Sequence, residues 1–146
     1  MTVLRMDNVL IVVNDLDAAI NFFELLGLEL EGRMPIEGPW VDRVIGIDNS
    51  RAEIATMKTP DGHGRIELDK FYSPRAITPE PHPAPVNTLG IRRIMFLVDD
   101  VDAVLARLEA RGAELVDEVV NYQDIYRLCY VRGPEGVLVG ISQDLR

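Results

Sequence analysis

The residues best suited to chemistry lie on alternate positions of one short segment, Arg65 to Asp69. Residues two apart in a strand point to the same face, so Arg65, Glu67 and Asp69 are predicted to share a face. Glu67 could then act as a general base that removes a proton from a bound substrate. With Asp69 beside it, it could alternatively contribute to a divalent metal site, because such metals need several carboxylate or imidazole donors.

Histidine and cysteine, the other common catalytic and metal-binding residues, are scarce in this chain. There are two histidines, with His63 in a predicted turn and His82 among prolines, so neither is predicted on a strand. Cys129, the single cysteine, lies within a predicted strand with no histidine nearby in sequence, which favours a buried structural thiol over a nucleophile. A single cysteine cannot form an internal disulfide and fits a reducing compartment.

The overall charge argues against two classes of partner. The chain has 146 residues and a formal net charge of −9, so a phosphate backbone or an anionic membrane surface would repel it. The first eight residues lack the basic and apolar pattern of a signal peptide, and no apolar stretch approaches the roughly 20 residues that span a bilayer. We therefore expect a cytoplasmic, soluble protein without nucleic acid or membrane partners.

The chain contains an internal repeat. Residues 6–18 align with residues 91–103, and each segment consists of a mostly apolar strand, an acidic turn and a helix start. The same offset aligns residues 27–30 with residues 112–115, where each segment begins with a glycine that can end the preceding helix. A repeat of this length indicates two copies of one structural unit.

Each copy is predicted to be a βαβββ module. The opening strand is followed by a helix that Asp15 or Asp17, and in the second copy Asp100 or Asp102, can cap. Three strands follow in each half. They are predicted at 28–34, 52–58 and 65–71, and at 114–120, 126–132 and 137–143. The first module is therefore placed at residues 1–71 and the second at residues 91–146.

Two further stretches carry no strand pattern. Residues 72–90 contain five of the nine prolines and are predicted to form an extended connector between the modules. Residues 35–50 contain the only tryptophan, Trp40, and are predicted to be an irregular loop that builds or covers a site. Trp40 could stack on a planar ligand, or it could anchor this loop against the protein.

The two βαβββ modules, the Asp-Leu-Asp and Asp-Val-Asp helix starts and the Gly-Pro-Glu-Gly turn resemble the vicinal-oxygen-chelate superfamily of glyoxalases, bleomycin resistance proteins and extradiol dioxygenases. The resemblance implies an α+β fold whose strands form a cup-shaped mixed sheet, and it implies a homodimer. Enzymatic members hold a divalent metal in the cup, with one ligand from the first and one from the last strand of each module.

In this chain the four ligand positions of that superfamily fall on Asn8, Glu67, Arg93 and Gly140. Only Glu67 keeps a residue type found in the enzymes. A guanidinium repels a cation and glycine has no side-chain donor, so the resemblance implies a member without a metal or another cofactor. We expect Glu67 to pair with Arg93 instead and to form a polar floor in an apolar cavity.

The remaining ligand-binding candidates are apolar and aromatic. Alternation places Leu10 on the cup face of the first strand, and Met95 on that of the second module. Met57 could join them as an adaptable thioether, although a single methionine is more often an ordinary core residue. The full set of predicted ligand-binding residues is Asn8, Leu10, Trp40, Met57, Glu67, Arg93, Met95, Tyr122 and Tyr126, whereas Tyr130 is predicted to be structural.

Two functions follow from the resemblance. The first is metal-independent binding and sequestration of an apolar or aromatic small molecule, such as an antibiotic natural product. The alternative is a glyoxalase-like lyase or isomerase, or a dioxygenase-like enzyme, in which Glu67 is the general base or a metal ligand. In that enzyme Arg93 would stabilise the developing oxyanion.

Overall fold

The computed structural model describes residues 2–146, which divide into two compact units of mixed α and β structure. The first unit ends at Ile77 and the second begins at Thr78. The α+β class with one βαβββ framework in each half is therefore confirmed. The described residues include no helix that is both long and apolar enough to cross a membrane.

The first unit is a four-stranded sheet with a helix packed against it. Its elements are β1 (Val9–Val12), α1 (Leu16–Leu26), β2 (Glu29–Glu37), α2 (Pro39–Ile45), β3 (Arg51–Lys58) and β4 (Arg65–Ser73). The strand order is β1-β4-β3-β2, with β1 parallel to β4 and the other neighbours antiparallel. Because β4 runs to Ser73, the first residues of the predicted connector belong to a strand.

The second unit repeats this plan with a five-stranded sheet. Its elements are β5 (Arg93–Leu97), α3 (Val101–Glu109), β6 (Glu114–Leu115), β7 (Val120–Tyr122), β8 (Tyr126–Arg132), a 3-10 turn (Pro134–Gly136) and β9 (Leu138–Asp144). The strand order is β5-β9-β8-β6, and β7 also pairs with β8. The prediction of one continuous strand at 114–120 is wrong, since the structure has two short strands, β6 and β7. Asp117 and Glu118, which have low strand propensity, lie between them.

The two long helices begin in the same way. The side chain of Asp15 accepts a hydrogen bond from the Ala18 amide at 2.9 Å, and Asp100 accepts one from the Ala103 amide at 3.0 Å. Each carboxylate satisfies an amide that has no partner within the helix. Of the two aspartates predicted for each cap, the first is therefore the N-cap.

The second aspartate of each pair instead ties its helix to the sheet. Asp17 accepts a hydrogen bond from Arg33 of β2, and Asp102 accepts two from Arg127 of β8, at 2.8 and 3.0 Å. The arginine beside it lowers the pKa of Asp102.

The stretch 35–50 is ordered, which corrects the predicted irregular loop. Strand β2 extends to Glu37, and α2 follows with Pro39 in its first turn and Gly46 at its end, with φ of 74°. A proline at the start and a left-handed glycine at the end favour a short helix between them. Trp40 therefore lies on a helix, and the residue is 56% exposed.

One face of each sheet is buried against the long helix of its unit. In the first unit Phe23 of α1 is fully buried, and the strands contribute Ile11, Ala55, Met57, Ile66 and Leu68 to the same core. In the second unit the buried side chains include Val101, Leu108, Val131, Val139 and Ile141. The opposite face of each sheet is turned away from the helix and carries the candidate site residues.

Candidate functional site

The face of the first sheet opposite α1 is called here the N-terminal open face. It carries Leu10, Val12, Met34, Ile54, Glu67 and Asp69. Along β1, burial alternates as predicted, since Ile11 is buried whereas Leu10 on the other face is 49% exposed. The register places Leu10 and Thr56 on either side of Glu67, so the carboxylate has an apolar neighbour on one side.

A pair of carboxyl groups lies on this face. Asp69 is only 8% exposed, and its Oδ1 atom is buried without a hydrogen-bond partner among residues 2–146. Burial, a hydrogen bond with Glu67 and the charge of Glu67 together raise the pKa of Asp69 to about 7, and burial has the largest effect. Near neutral pH Asp69 is therefore protonated in about half of the molecules, and it can either donate or accept a hydrogen bond.

Arg65 is the third polar residue that was predicted to share this face. Its guanidinium donates two hydrogen bonds to Glu31 of β2, each of 3.1 Å, and one to the Gly62 carbonyl oxygen. These contacts raise the pKa of Arg65. Arg65 thus neutralises Glu31 on the outer strand β2. The raised pKa of Asp69 limits the negative charge that its own carboxyl group carries near neutral pH.

The corresponding face of the second sheet, opposite α3, is called the C-terminal open face. It carries Arg93, Met95, Leu97, Tyr126, Tyr130 and Gly140. Arg93 donates a hydrogen bond to the Tyr130 hydroxyl group, and its guanidinium lies 5.5 Å from the centre of that ring. Tyr130 is therefore a site candidate that the prediction of a structural role missed. The even spacing from Tyr126 could have revealed it, because alternation puts both rings on one face.

Gly140 occupies the last metal-ligand position implied by the family resemblance. A Cβ atom at this position would lie 3.1 Å from Cγ of Met95 and 3.3 Å from Cε1 of Tyr130. The space that a ligand side chain would need is therefore filled by two neighbours on adjacent strands.

Met57 is the predicted site residue that the structure contradicts. It is fully buried, and it lies opposite Ile66 on the face packed against α1. The sequence alone does not determine which residues of β3 face the helix. That orientation is set by the pairing of β3 with β4 across the 59–64 turn. That pairing places Thr56, and not Met57, beside Glu67.

The other predicted site residues lie in several places. Tyr122 and Tyr126 are cross-strand partners on β7 and β8, and the Tyr126 hydroxyl accepts a hydrogen bond from Arg146 at 3.0 Å. Asn8 immediately precedes β1, and its side chain donates to Asp7 at 2.9 Å. Glu67 and Arg93 belong to different units, and their pairing remains a prediction.

The donor set does not fit the divalent metal that the family resemblance implies. Of the four positions only Glu67 supplies an anionic donor, since the others are Asn8, Arg93 and Gly140. Within residues 2–146, no three histidine, cysteine, aspartate or glutamate side chains come together closely enough to hold a metal. The sheet faces therefore provide hydrogen bonds, a carboxyl group that titrates near neutral pH and apolar surface, which serve binding or acid–base chemistry.

Comparison with known proteins identifies the family. The profile of the glyoxalase/bleomycin resistance protein/dioxygenase superfamily matches residues 5–141. A glyoxalase family protein from Bacillus cereus is 54% identical over 100% of this chain and 97% of its own, with a TM-score of 0.95. The Bacillus subtilis protein YwbC is 30% identical over 142 residues, which cover 95% of this chain and 97% of YwbC.

A more distant structure shares the fold alone. The trypanothione-dependent glyoxalase I of Leishmania major is 18% identical, with a TM-score of 0.66 over 95% of this chain and 86% of that enzyme. The profile match and the two bacterial relatives span nearly all of the chain, including both βαβββ modules. The chain therefore belongs to the glyoxalase/bleomycin resistance protein/dioxygenase superfamily, as its repeated modules predicted.

Proposed function

We propose that this protein binds and sequesters a small apolar or aromatic molecule, such as an antibiotic natural product, without a metal ion. The observation that carries the proposal is the apolar surface of the N-terminal open face, where Leu10 is 49% and Met34 is 55% exposed. Apolar side chains left exposed beside polar groups on one sheet face are typical of interaction sites. Its burial under a ligand would gain about 25 cal/mol per Å².

Polar groups beside this apolar surface would orient the ligand. The carboxyl pair of Asp69 and Glu67 suits a ligand carbonyl or hydroxyl group, because it can either donate or accept a hydrogen bond. On the C-terminal open face, the guanidinium of Arg93 is held over the Tyr130 ring and keeps further N–H groups for an acceptor. A small-molecule site usually has a mostly apolar wall with a few polar groups that orient the ligand.

Exposed aromatic side chains offer stacking surface. Tyr122 is exposed next to Tyr126 on the C-terminal open face, and Trp40 is exposed on α2. Aromatic rings stack on planar ligands at little cost in side-chain entropy, because they have only two rotatable bonds. This supports an aromatic ligand in preference to a long flexible one.

A second candidate function is proton transfer by a lyase or isomerase of the glyoxalase type. The specific observation that favours it is the raised pKa of Asp69, since a group that titrates near neutral pH can both remove and return a proton. Glu67 would be the partner that contacts the substrate, and Asp69 would hold the proton behind it. Arg93 would stabilise the developing oxyanion.

The decisive experiment combines binding with recovery of the ligand. Aromatic natural-product antibiotics, bleomycin among them, would be titrated calorimetrically against the full chain, and each bound compound would be analysed by mass spectrometry after long incubation. Sequestration predicts saturable binding and an unchanged compound. Conversion that is lost in Glu67→Gln but retained in the control Glu118→Gln, an exposed carboxylate of the second unit, would establish the enzyme instead.

Arg93 tests whether the C-terminal open face takes part. Replacing Arg93 with alanine removes a charged hydrogen bond, which is worth roughly 1.5–3 kcal/mol, so affinity should fall about tenfold to a hundredfold. Arg111→Ala removes the same charge from an exposed position after α3 and should leave affinity unchanged. Equal affinity in the Arg93→Ala variant and the wild type would exclude the C-terminal open face from the binding site.

A further inference from the structure

Arg93 differs from several other strand arginines because it has no acidic partner in its own unit. The chain has 24 acidic residues against 15 lysines and arginines, so carboxylates are generally available to its arginines. The strand arginines that form ion pairs are Arg33, Arg51, Arg65 and Arg127. Arg93 is exposed, and it forms no ion pair with any residue of the second unit, 78–146. Its positive charge is therefore not neutralised within that unit.

Tyr130 holds the guanidinium of Arg93 in position. Arg93 donates a hydrogen bond to the Tyr130 hydroxyl group, and its guanidinium lies 5.5 Å from the centre of the ring. These two contacts orient the cation and leave its remaining N–H groups for an outside acceptor. A guanidinium that is already oriented loses less side-chain entropy when it binds an anion than a mobile one would.

A second arginine–tyrosine pair lies at the other end of the same face. Arg146 donates a hydrogen bond of 3.0 Å to the Tyr126 hydroxyl group, and its guanidinium lies 5.2 Å from the centre of that ring. Unlike Arg93, this arginine also forms an ion pair of 3.2 Å with Asp144. The C-terminal open face therefore has an uncompensated positive charge at the Arg93 end and a compensated one at the Tyr126 end.

Apolar surface connects the two ends of this face. Tyr126 and Tyr130 are four residues apart on β8, which corresponds to about 13 Å along a strand. Between these rows, Leu97 of β5 and Leu128 of β8 lie on either side of Ser142. Leu97 is 70% exposed, so a ligand that covers it would bury apolar surface. The length of this floor fits a flat body of two or three rings.

We propose that the ligand of the C-terminal open face is an amphiphilic monoanion, with its anionic group on Arg93 and its flat apolar body over Leu97 and Leu128. A cationic group is disfavoured there because Arg93 would repel it. A second anionic group is disfavoured because it would lie on leucine side chains, which cannot solvate a charge. This inference rests on the proposed function and adds to it the charge of the ligand.

Two fluorescent probes with the same rings test the charge. Anilinonaphthalene sulfonate is the anionic probe, and phenylnaphthylamine is the same molecule without the sulfonate. Each probe is titrated against the full chain, and the sulfonate should bind at least about tenfold more tightly than the neutral probe. Because the chain has a net charge of −9, non-specific binding elsewhere would favour the neutral probe instead.

Three variants locate the binding. Arg93→Gln should weaken binding of the sulfonate about tenfold to a hundredfold and leave binding of the neutral probe unchanged, which also shows that the variant is folded. Arg111→Gln removes the same charge from an exposed position after α3 and should leave both affinities unchanged. Leu97→Ser should weaken both probes about threefold to tenfold, because each loses the same apolar contact.

The outcomes separate this inference from the proposed function. Equal binding of the two probes, weakened by Leu97→Ser, would overturn the inference and leave an apolar binding site standing. A preference for the sulfonate that survives in Arg93→Gln would also overturn it, since the charge would then be recognised elsewhere. Failure of both probes to bind would overturn it together with the part of the proposed function that uses the C-terminal open face.

Discussion

In the first module Leu10 lies opposite Glu67, and at the equivalent place in the second module Met95 lies opposite Gly140. Both pairs join the first strand of a module to its last strand in parallel. The neighbour on the other side is Thr56 in the first module and Tyr130 in the second. One framework therefore carries a carboxylate between small or apolar neighbours in one copy, and a glycine between large neighbours in the other.

The difference shows how a site position changes without loss of packing. Where the first module keeps a carboxylate, Asp69 lies two residues further along the same strand, and that carboxylate contributes to its raised pKa. Where the second module has Gly140 in place of a carboxylate, Met95 and Tyr130 fill the space, and Tyr130 also accepts a hydrogen bond from Arg93. The first open face is therefore acidic and apolar, whereas the second is basic and aromatic.

The largest effect expected from this comparison is a pH dependence of the unfolding free energy, which arises from Asp69 in the first module. Asp69 has a pKa of about 7 in the folded protein against 3.8 when exposed, so folding favours its protonated form. This contribution to stability is complete below about pH 4 and is lost as the pH rises towards 7. One pKa unit corresponds to about 1.4 kcal/mol, so the unfolding free energy should fall by roughly 3 kcal/mol between about pH 4.5 and pH 8.

Urea denaturation at the two pH values measures this change, and Asp69→Asn should abolish most of it because asparagine does not titrate. Asp48→Asn is the matched control, since Asp48 is an exposed carboxylate of the same unit. Parallel stability curves for Asp69→Asn and the wild type would show that Asp69 ionises normally. Asp69 would then carry no proton near neutral pH.

The second prediction concerns the glycine of the second module. Gly140→Leu should lower the unfolding free energy by roughly 2 kcal/mol, because its side chain must displace Met95 and Tyr130. Glu67→Leu, at the equivalent position of the first module, should cost less because Leu10 beside it is partly exposed. Adding Met95→Ala to Gly140→Leu should recover part of the loss, and strictly additive effects would contradict the packing argument.

The smallest effect should come from the arginines that tie each helix to its sheet. Arg33 binds both Asp17 and Glu53, whereas Arg127 binds Asp102 alone. Arg33→Met should therefore lower the melting temperature more than Arg127→Met. Both decreases should shrink in ~1 M sodium chloride, where the screening length is about 3 Å. Equal decreases at both salt concentrations would indicate that packing of the arginine stems, and not charge, stabilises the helices.

The repeat explains why most of the framework could be predicted from the sequence. Aligning the two halves located both long helices, their aspartate caps and the opening strands, because these features depend on local residue types. Alternation also placed Leu10 away from the core and Ile11 within it, which the structure confirms. Local residue types were sufficient to predict those elements whose formation does not depend on pairing with a distant strand.

The predictions that failed depended on neighbours that the sequence does not identify. The face of Met57 is set by the pairing of β3 with β4, and a change of one residue in that pairing would reverse it. The hydrogen bond from Arg93 to Tyr130 joins residues 37 positions apart in the chain, so the sequence did not indicate this contact, and a structural role for Tyr130 stays a prediction. Helix α2 was also not predicted, but here the information was local, because Pro39 and Gly46 mark its start and its end.

The parallel pairing of β1 with β4 also constrains the order in which the chain can fold during synthesis. Val9 pairs with Ile66, so β1 must wait until nearly the whole module has left the ribosome. At roughly 5–20 residues per second, this apolar strand stays without its partner for several seconds. Such non-local pairing forms slowly, so the apolar β1 strand stays unpaired during this interval.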